Sequence, residues 1–124
     1  MKEFDLKIRT KRFAHDCVKI ASMLPATKLG YHLQGQLIRS ATSVAANYRS
    51  SCISQTKKVF IAKISIVVEE IDESNFWIEF IIDEKLLKTQ LKELEYLLKE
   101  SAELTSIFIS SRKTAQLNLL EEDD

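Results

Sequence analysis

Between Lys57 and Ile82 the chain places apolar residues at Phe60, Ile64, Val67, Ile71, Ile78 and Ile81, with Ser74 holding the one polar place in the row. The spacing is four, three, four, three, a heptad seam of the kind that faces a partner helix. Its Ile and Val content favours a strand, but the sustained period and the absence of any breaker predict a helix over about 57–82. Three more segments carry helical spacing. The first spans about 4–24, with Leu6, Phe13, Cys17, Ile20 and Leu24 inward, and Pro25 and Gly30 make "PATKLG" its loop. The second spans about 31–53 on Leu33, Leu37, Ala41, Val44, Tyr48 and Cys52, and "SQT" marks a tight turn in which Ser54 or Thr56 is the N-cap. The fourth spans about 84–112 with Leu87, Leu91, Leu94, Leu98, Ala102, Thr105 and Phe108 inward, and "EEDD" follows as a frayed acidic tail. Four long helices with short connections predict an all-α fold. The expected architecture is an antiparallel up-and-down four-helix bundle, one domain over 1–124.

The third helix is apolar on more than one side. Beyond its seam it carries Ile61, Ile66, Val68, Phe76, Trp77, Phe80 and Ile82. A bundle helix buries one stripe, so the second needs another cover. Self-association is expected through this helix and the face of helix two beside it. Helix two offers Gln36, Arg39, Ser43, Ala46 and Ser50 at three-four spacing, a stripe of mostly small side chains that another helix can approach closely. Asn47 borders it, with an amide suited to bonding across helices. The expected oligomer interface is Arg39, Ser43, Ala46, Asn47 and Ser50 on helix two with Glu70, Glu73, Trp77 and Phe80 on helix three.

Composition narrows the class. The 124 residues are 45% hydrophobic, enough for a core, and two Gly with one Pro leave little material for tight turns. Cys17 and Cys52 lie in helix interiors at no metal-ligand spacing and read as reduced thiols. The start "MKEFDLKIRTK" has no apolar export region and no apolar run is long enough to span a membrane, so a cytoplasmic location is expected.

Charge is balanced overall but divided along the chain. Residues 1–63 hold twelve Lys and Arg against three acids, a net +9, and residues 64–124 hold six against fifteen, a net −9. One reading is self-complementarity, a basic half packing beside an acidic half within the chain or between subunits, where basic helices one and two would meet acidic helices three and four of a neighbour. The other is a basic face for RNA or DNA, built from Lys7, Arg9, Lys11, Arg12, Lys57 and Lys58. The zero net charge favours the first.

Candidate chemistry is sparse. In "EEIDES", Glu69, Glu70 and Glu73 share a helix face, a pattern that suits a metal or a split carboxylate pair. A di-iron bundle needs Glu-x-x-His on two helices, and neither His15 nor His32 has a Glu at that offset. Ion pairing is the expected role. A hairpin turning near residue 55 sets Arg39 level with Asp72 and Glu73, and leaves Arg49 beside Ala62 and Lys63, to find its acid on a neighbouring subunit. Ser54 to Lys57 matches the S-x-x-K pattern of penicillin-recognising enzymes, but no Ser-Asp-Asn or Lys-Thr-Gly accompanies it, so it reads as a turn and cap. No histidine is placed beside Cys52. The two glycines are isolated, so no phosphate loop exists. Tyr31, Tyr48 and Trp77 suit base stacking, yet their helical spacing places them in a core or interface. No catalytic residue, metal or cofactor is expected.

The stretch Leu37 to Ile81 resembles the four-helix-bundle proteins related to those encoded in intervening sequences of bacterial large-subunit rRNA. Leu37, Arg39, Ser40, Thr42, Ser43, Val44, Ala46 and Asn47 fit that family's run in helix two. Phe60, Ile61, Lys63, Val67, Glu73, Ser74, Trp77, Ile78 and Glu79 fit its later run approximately, and Arg12 to Ala14 fit helix one. The resemblance implies a homopentamer around a central axis and no catalytic residue. A distant relative is the accessory protein of diversity-generating retroelements, which binds nucleic acid and a reverse transcriptase. That relative is strongly basic and this chain is not. Where many members read "A-E-G" after the helix-two Asn, this chain has Tyr48, Arg49 and Ser50. The expected function is a non-enzymatic homo-oligomeric scaffold for protein–protein interaction, and the alternative is an RNA- or DNA-binding adaptor.

Overall fold

The computed structural model describes residues 3–123. They form four helices, α1 (Glu3–Ser22), α2 (Lys28–Ser51), α3 (Lys57–Asp83) and α4 (Leu91–Asp123), and no strand occurs among them. α2 packs on α1 and on α3, and α3 packs on α4, while α1 and α4 touch least. The packing is compatible with a four-helix bundle. No described helix is long and apolar enough to cross a membrane.

Local chemistry sets the boundaries. Thr27 caps α2 by accepting from the Gly30 N–H at 3.0 Å, and Thr56 caps α3 by accepting from the Val59 N–H at 3.1 Å. Gly30 is therefore not a breaker, as its sequence context suggests, but a residue of the first turn of α2. A methyl group there would overlap the Pro25 carbonyl folded back against it, so glycine is required by contact.

α4 departs most from the sequence expectation. Nothing between Asp83 and Leu91 is a glycine or proline, yet α3 stops. Lys85 adopts the left-handed conformation (φ 52°), its N–H donates to the Ile82 carbonyl, and the Leu86 N–H donates to the Ile81 carbonyl. This is a Schellman closure with lysine where glycine is usual, and it postpones the next helix from 84 to 91. At its other end α4 continues to Asp123 rather than stopping at Arg112. Ala115 is buried and Lys57 pairs with Glu122, so Glu121 and Glu122 are helical rather than frayed; Asp124 lies outside the described residues.

The inward seams of α1, α2 and α3 follow the heptad spacing. Thr10 fills the polar gap in α1, and Ile64, Val67, Ile71, Ser74, Ile78 and Ile81 are the buried residues of α3. α4 turns a different stripe inward: Leu94, Leu97, Ser101, Leu104 and Phe108 are buried, whereas Leu91 and Ala102 are exposed and Leu98 and Thr105 are half-buried. The rotation trades Ala102 for Ser101, whose hydroxyl accepts from Asn75 Nδ2 at 2.6 Å and bonds back to the Leu98 carbonyl at 2.9 Å. One apolar cluster joins all four helices, with Phe13, Leu37, Ile71 and Phe108 at its centre. Burying a side chain of this size contributes roughly 1.5–3 kcal/mol.

Among the described residues five buried ones are polar, and all are Ser or Thr: Thr10, Ser40, Ser51, Ser74 and Ser101. Each hydroxyl lies within bonding distance of a carbonyl one turn back in its own helix, which removes the desolvation cost of an unpaired buried group. One run of polar contacts links all four helices. Arg9 of α1 reaches Glu100 of α4, Ser101 meets Asn75 of α3, Ser74 meets Ser40 of α2, and Arg39 returns to Glu70 and Glu73.

Candidate interaction surfaces

The acidic cluster is held by one arginine. Arg39 Nη1 stands 3.1 Å from Glu70 Oε2, and its Nη2 pairs with Glu73. Hairpin geometry places Arg39 at this height, and one helical turn separates the two acids on its face. Glu69 and Asp72 point to solvent and form no ion pair among the described residues. Nowhere among those residues do three His, Cys, Asp or Glu side chains gather as a metal would need.

Around Arg39 the expected interface residues fall into two groups. Ser43, Asn47 and Ser50 are half-buried, and Ala46 is exposed. Asn47 does not bond across helices: its Nδ2 donates to the Ser43 carbonyl and hydroxyl, 3.0 and 2.9 Å away in its own helix. On α3, Phe76 is 51% exposed and stacks edgewise on Trp77 and tilted on Phe80, at 4.9 and 6.1 Å between centroids. Trp77 also meets His32 in a T-shaped pair at 5.8 Å, and its indole Nε1 is buried without a hydrogen-bond partner among the described residues. An unpaired buried N–H costs about 1–3 kcal/mol.

The proposed basic face disperses. Arg9 engages Glu100 through a fork, Nε to Oε2 at 2.9 Å and Nη2 to Oε1 at 2.6 Å, and reaches Glu103 at 2.9 Å. The charged hydrogen bond to Glu100, ahead of the cost of burial, raises its pKa above the ordinary arginine value. Lys57 pairs with Glu122 and Lys7 with Glu3. Lys11, Arg12 and Lys58 are exposed and unpaired among the described residues.

No nucleophile is assembled. Thr56, not Ser54, is the cap, and Lys57 is engaged by Glu122. Cys17 is fully buried, and burial, then the neighbouring Asp16 charge, pushes its thiol pKa up and holds it protonated. Tyr48 packs on Phe108 at 5.1 Å, and its phenol is shifted up first by burial, then by its hydrogen bond to Cys52. Tyr31 is 62% exposed rather than packed in the core.

One surface was not foreseen. Between α1 and α2 lies a surface groove of about 730 Å³, lined by the apolar Ile8, Ala14, Val18, Ala45 and Ala46. Lys7, Lys11, His15 and Arg49 line it, and no acid does. Lys7, Lys11 and His15 recur every fourth residue, the sequence signal for a shared face, but the opposing wall appears only once α2 is packed.

Comparison with known proteins gives a consistent picture. The model of the 23S rRNA-intervening sequence protein family matches residues 2–109. The chain is similar to a solved protein of unknown function from the S23 ribosomal protein family of Bacteroides thetaiotaomicron, at 27% identity and a TM-score of 0.81, over 91% of this chain and 99% of that one. No curated protein matches the chain.

Proposed function

The chain belongs to the 23S rRNA-intervening sequence protein family, and from that premise we propose that it is a self-associating scaffold without catalytic activity, working in the cytoplasm. The proposed unit is an antiparallel up-and-down bundle that assembles as a ring. Two α3–α4 contacts support the direction of the helices: Asn75 meets Ser101, and ten residues earlier on α3, Ser65 meets Arg112, eleven residues later on α4. Five subunits is the number that the family resemblance implies.

The observation that carries the proposal is the second apolar side of α3. Its seam is buried from Ile64 to Ile81, with Phe60 half-buried, yet Phe76 is 51% and Ile66 38% exposed, and Trp77 and Phe80 are half-buried at the margin of the core. Large apolar groups aligned on one helix outside its own core mark an interaction site. Light scattering at micromolar concentration tests it. A mass several times the 14.3 kDa of one chain is expected, and a monomer overturns the proposal.

The second reading, an adaptor for RNA or DNA, rests on Lys7, Lys11 and Arg49 facing one groove. Against it, Arg9 and Lys57 are neutralised within the chain. Anisotropy of a labelled RNA should show binding that weakens steeply with salt if this reading holds. No binding at low salt removes it.

A further inference from the structure

The groove between α1 and α2 and the outer edge of α3 are opposites in charge and similar in length. The groove is cationic through Lys7, Lys11 and Arg49, over a floor of small and apolar side chains. The α3 edge carries Ile66, Glu69, Asp72, Phe76, Glu79 and Asp83, spaced three or four apart and all exposed. None of its four acids forms an ion pair among the described residues, and neither do Lys11 or Arg49. At about 1.5 Å per residue, Lys7 to Val18 spans about 17 Å of α1 and Glu69 to Asp83 about 21 Å of α3.

From this we infer that the α3 edge of one copy docks into the α1–α2 groove of the next, with Phe76 or Ile66 on the apolar floor and the acids against the cationic rim. The inference rests on the self-association proposed above and names the surfaces that perform it. Three observations favour a second copy over a nucleic acid as the occupant. The floor is apolar, which suits a ring or an alkyl side chain and not a phosphate. The unpaired acids that would neutralise the rim are on this same chain. The exposed apolar groups of α3 need a cover, and a nucleic-acid backbone gives none. Groove and edge lie on different helices, so one copy can receive an edge and offer its own to a third, and repetition of such a heterologous contact closes a ring where the rotation allows.

Charge reversal tests this, read by light scattering with circular dichroism as the check on folding. K11E/R49E in the groove, and separately D72K/E79K on the edge, should each lower the mass to that of one chain. The variant carrying all four changes restores complementary charges and should regain the wild-type mass. If the wild type is itself monomeric, self-association fails as a whole. If the wild type assembles and neither reversal lowers its mass, self-association stands and the groove–edge contact is overturned. If K11E/R49E keeps its mass but loses binding to an oligouridine at low salt, the groove serves nucleic acid and the inference is overturned. A readout without charge changes uses A46C/F76C: mild oxidation should give a ladder of crosslinked multimers, and chains that stay uncrosslinked refute the contact.

Discussion

Ser40 and Ser74 face each other in the core with their hydroxyl oxygens 2.8 Å apart. Ser74 Oγ is also 2.9 Å from the Glu70 carbonyl, and Ser40 Oγ is 3.4 Å from the Leu37 carbonyl. Each hydroxyl has one proton. The arrangement that satisfies both sends the Ser40 proton to Ser74 and the Ser74 proton to Glu70. Ser40→Ala then removes one bond and leaves Ser74 donating to its carbonyl, a loss of about 1 kcal/mol. Ser74→Ala removes the acceptor of Ser40, whose only other partner is the long Leu37 contact, and should cost about 2 kcal/mol. Changing both leaves two methyl groups in contact and no unpaired group, which is close to neutral. The double variant should therefore cost about 3 kcal/mol less than the sum of the singles, at the upper end of the coupling found for contacting residues. Urea unfolding at one fixed protein concentration measures all four proteins, the fixed concentration removing the effect of assembly. Additive singles would refute the bonded pair.

Other predictions follow from the loops and thiols. Lys85→Gly relieves the left-handed lysine and should stabilise by about 1 kcal/mol, raising Tm in a calorimetric scan. The two glycines should respond in opposite directions to alanine: Gly35→Ala enters open space on a helix and gains about 0.5–1 kcal/mol, while Gly30→Ala meets the Pro25 carbonyl and loses about 1–3 kcal/mol. Burial keeps the Cys17 thiol protonated in the folded chain after the unfolded chain has released its proton near pH 8.5. Stability due to this group is therefore full below that pH and falls as pH rises, by up to about 1.4 kcal/mol per unit, and Cys17→Ala should remove that part of the alkaline slope. A maleimide reagent should label half-buried Cys52 well before Cys17, and equal rates would contradict the burial.

What could be read in the chain beforehand depends on how local each determinant is. The seams of α1 to α3 were legible because spacing alone defines a face. Arg39 was placed near Glu73 by hairpin arithmetic, since a short turn fixes which residues are level. α4 was misread for two reasons. Leu97 and Leu98 are adjacent, so hydrophobicity cannot choose the inward one, and Asn75 on another helix decides in favour of the stripe through Ser101. Its start was hidden because Lys85 does the work of a glycine. Gly30 was legible as special but not for its reason, since the Pro25 carbonyl that demands it returns through space. The α1–α2 groove has walls from separate helices, and only packing brings Lys11 and Arg49, more than thirty residues apart in sequence, to one rim.

The meeting of Ser40 with Ser74 and of Asn75 with Ser101 at one height has a consequence for how the chain finds one structure. A seam of Ile and Val repeated every seven residues looks almost the same to its partner after a shift of one heptad. Such a shift would bring Ser40 against Val67 or Ile81 in place of Ser74, and Asn75 would lose Ser101. The displaced alignments keep their oil-like contacts but strand hydroxyls, an amide and charges at once. These few hydrogen bonds thus act less as glue than as an index mark, separating the native alignment from near copies of itself. A chain with both serines made alanine should keep its stability and lose part of that discrimination, populating shifted packings that broaden its NMR spectrum.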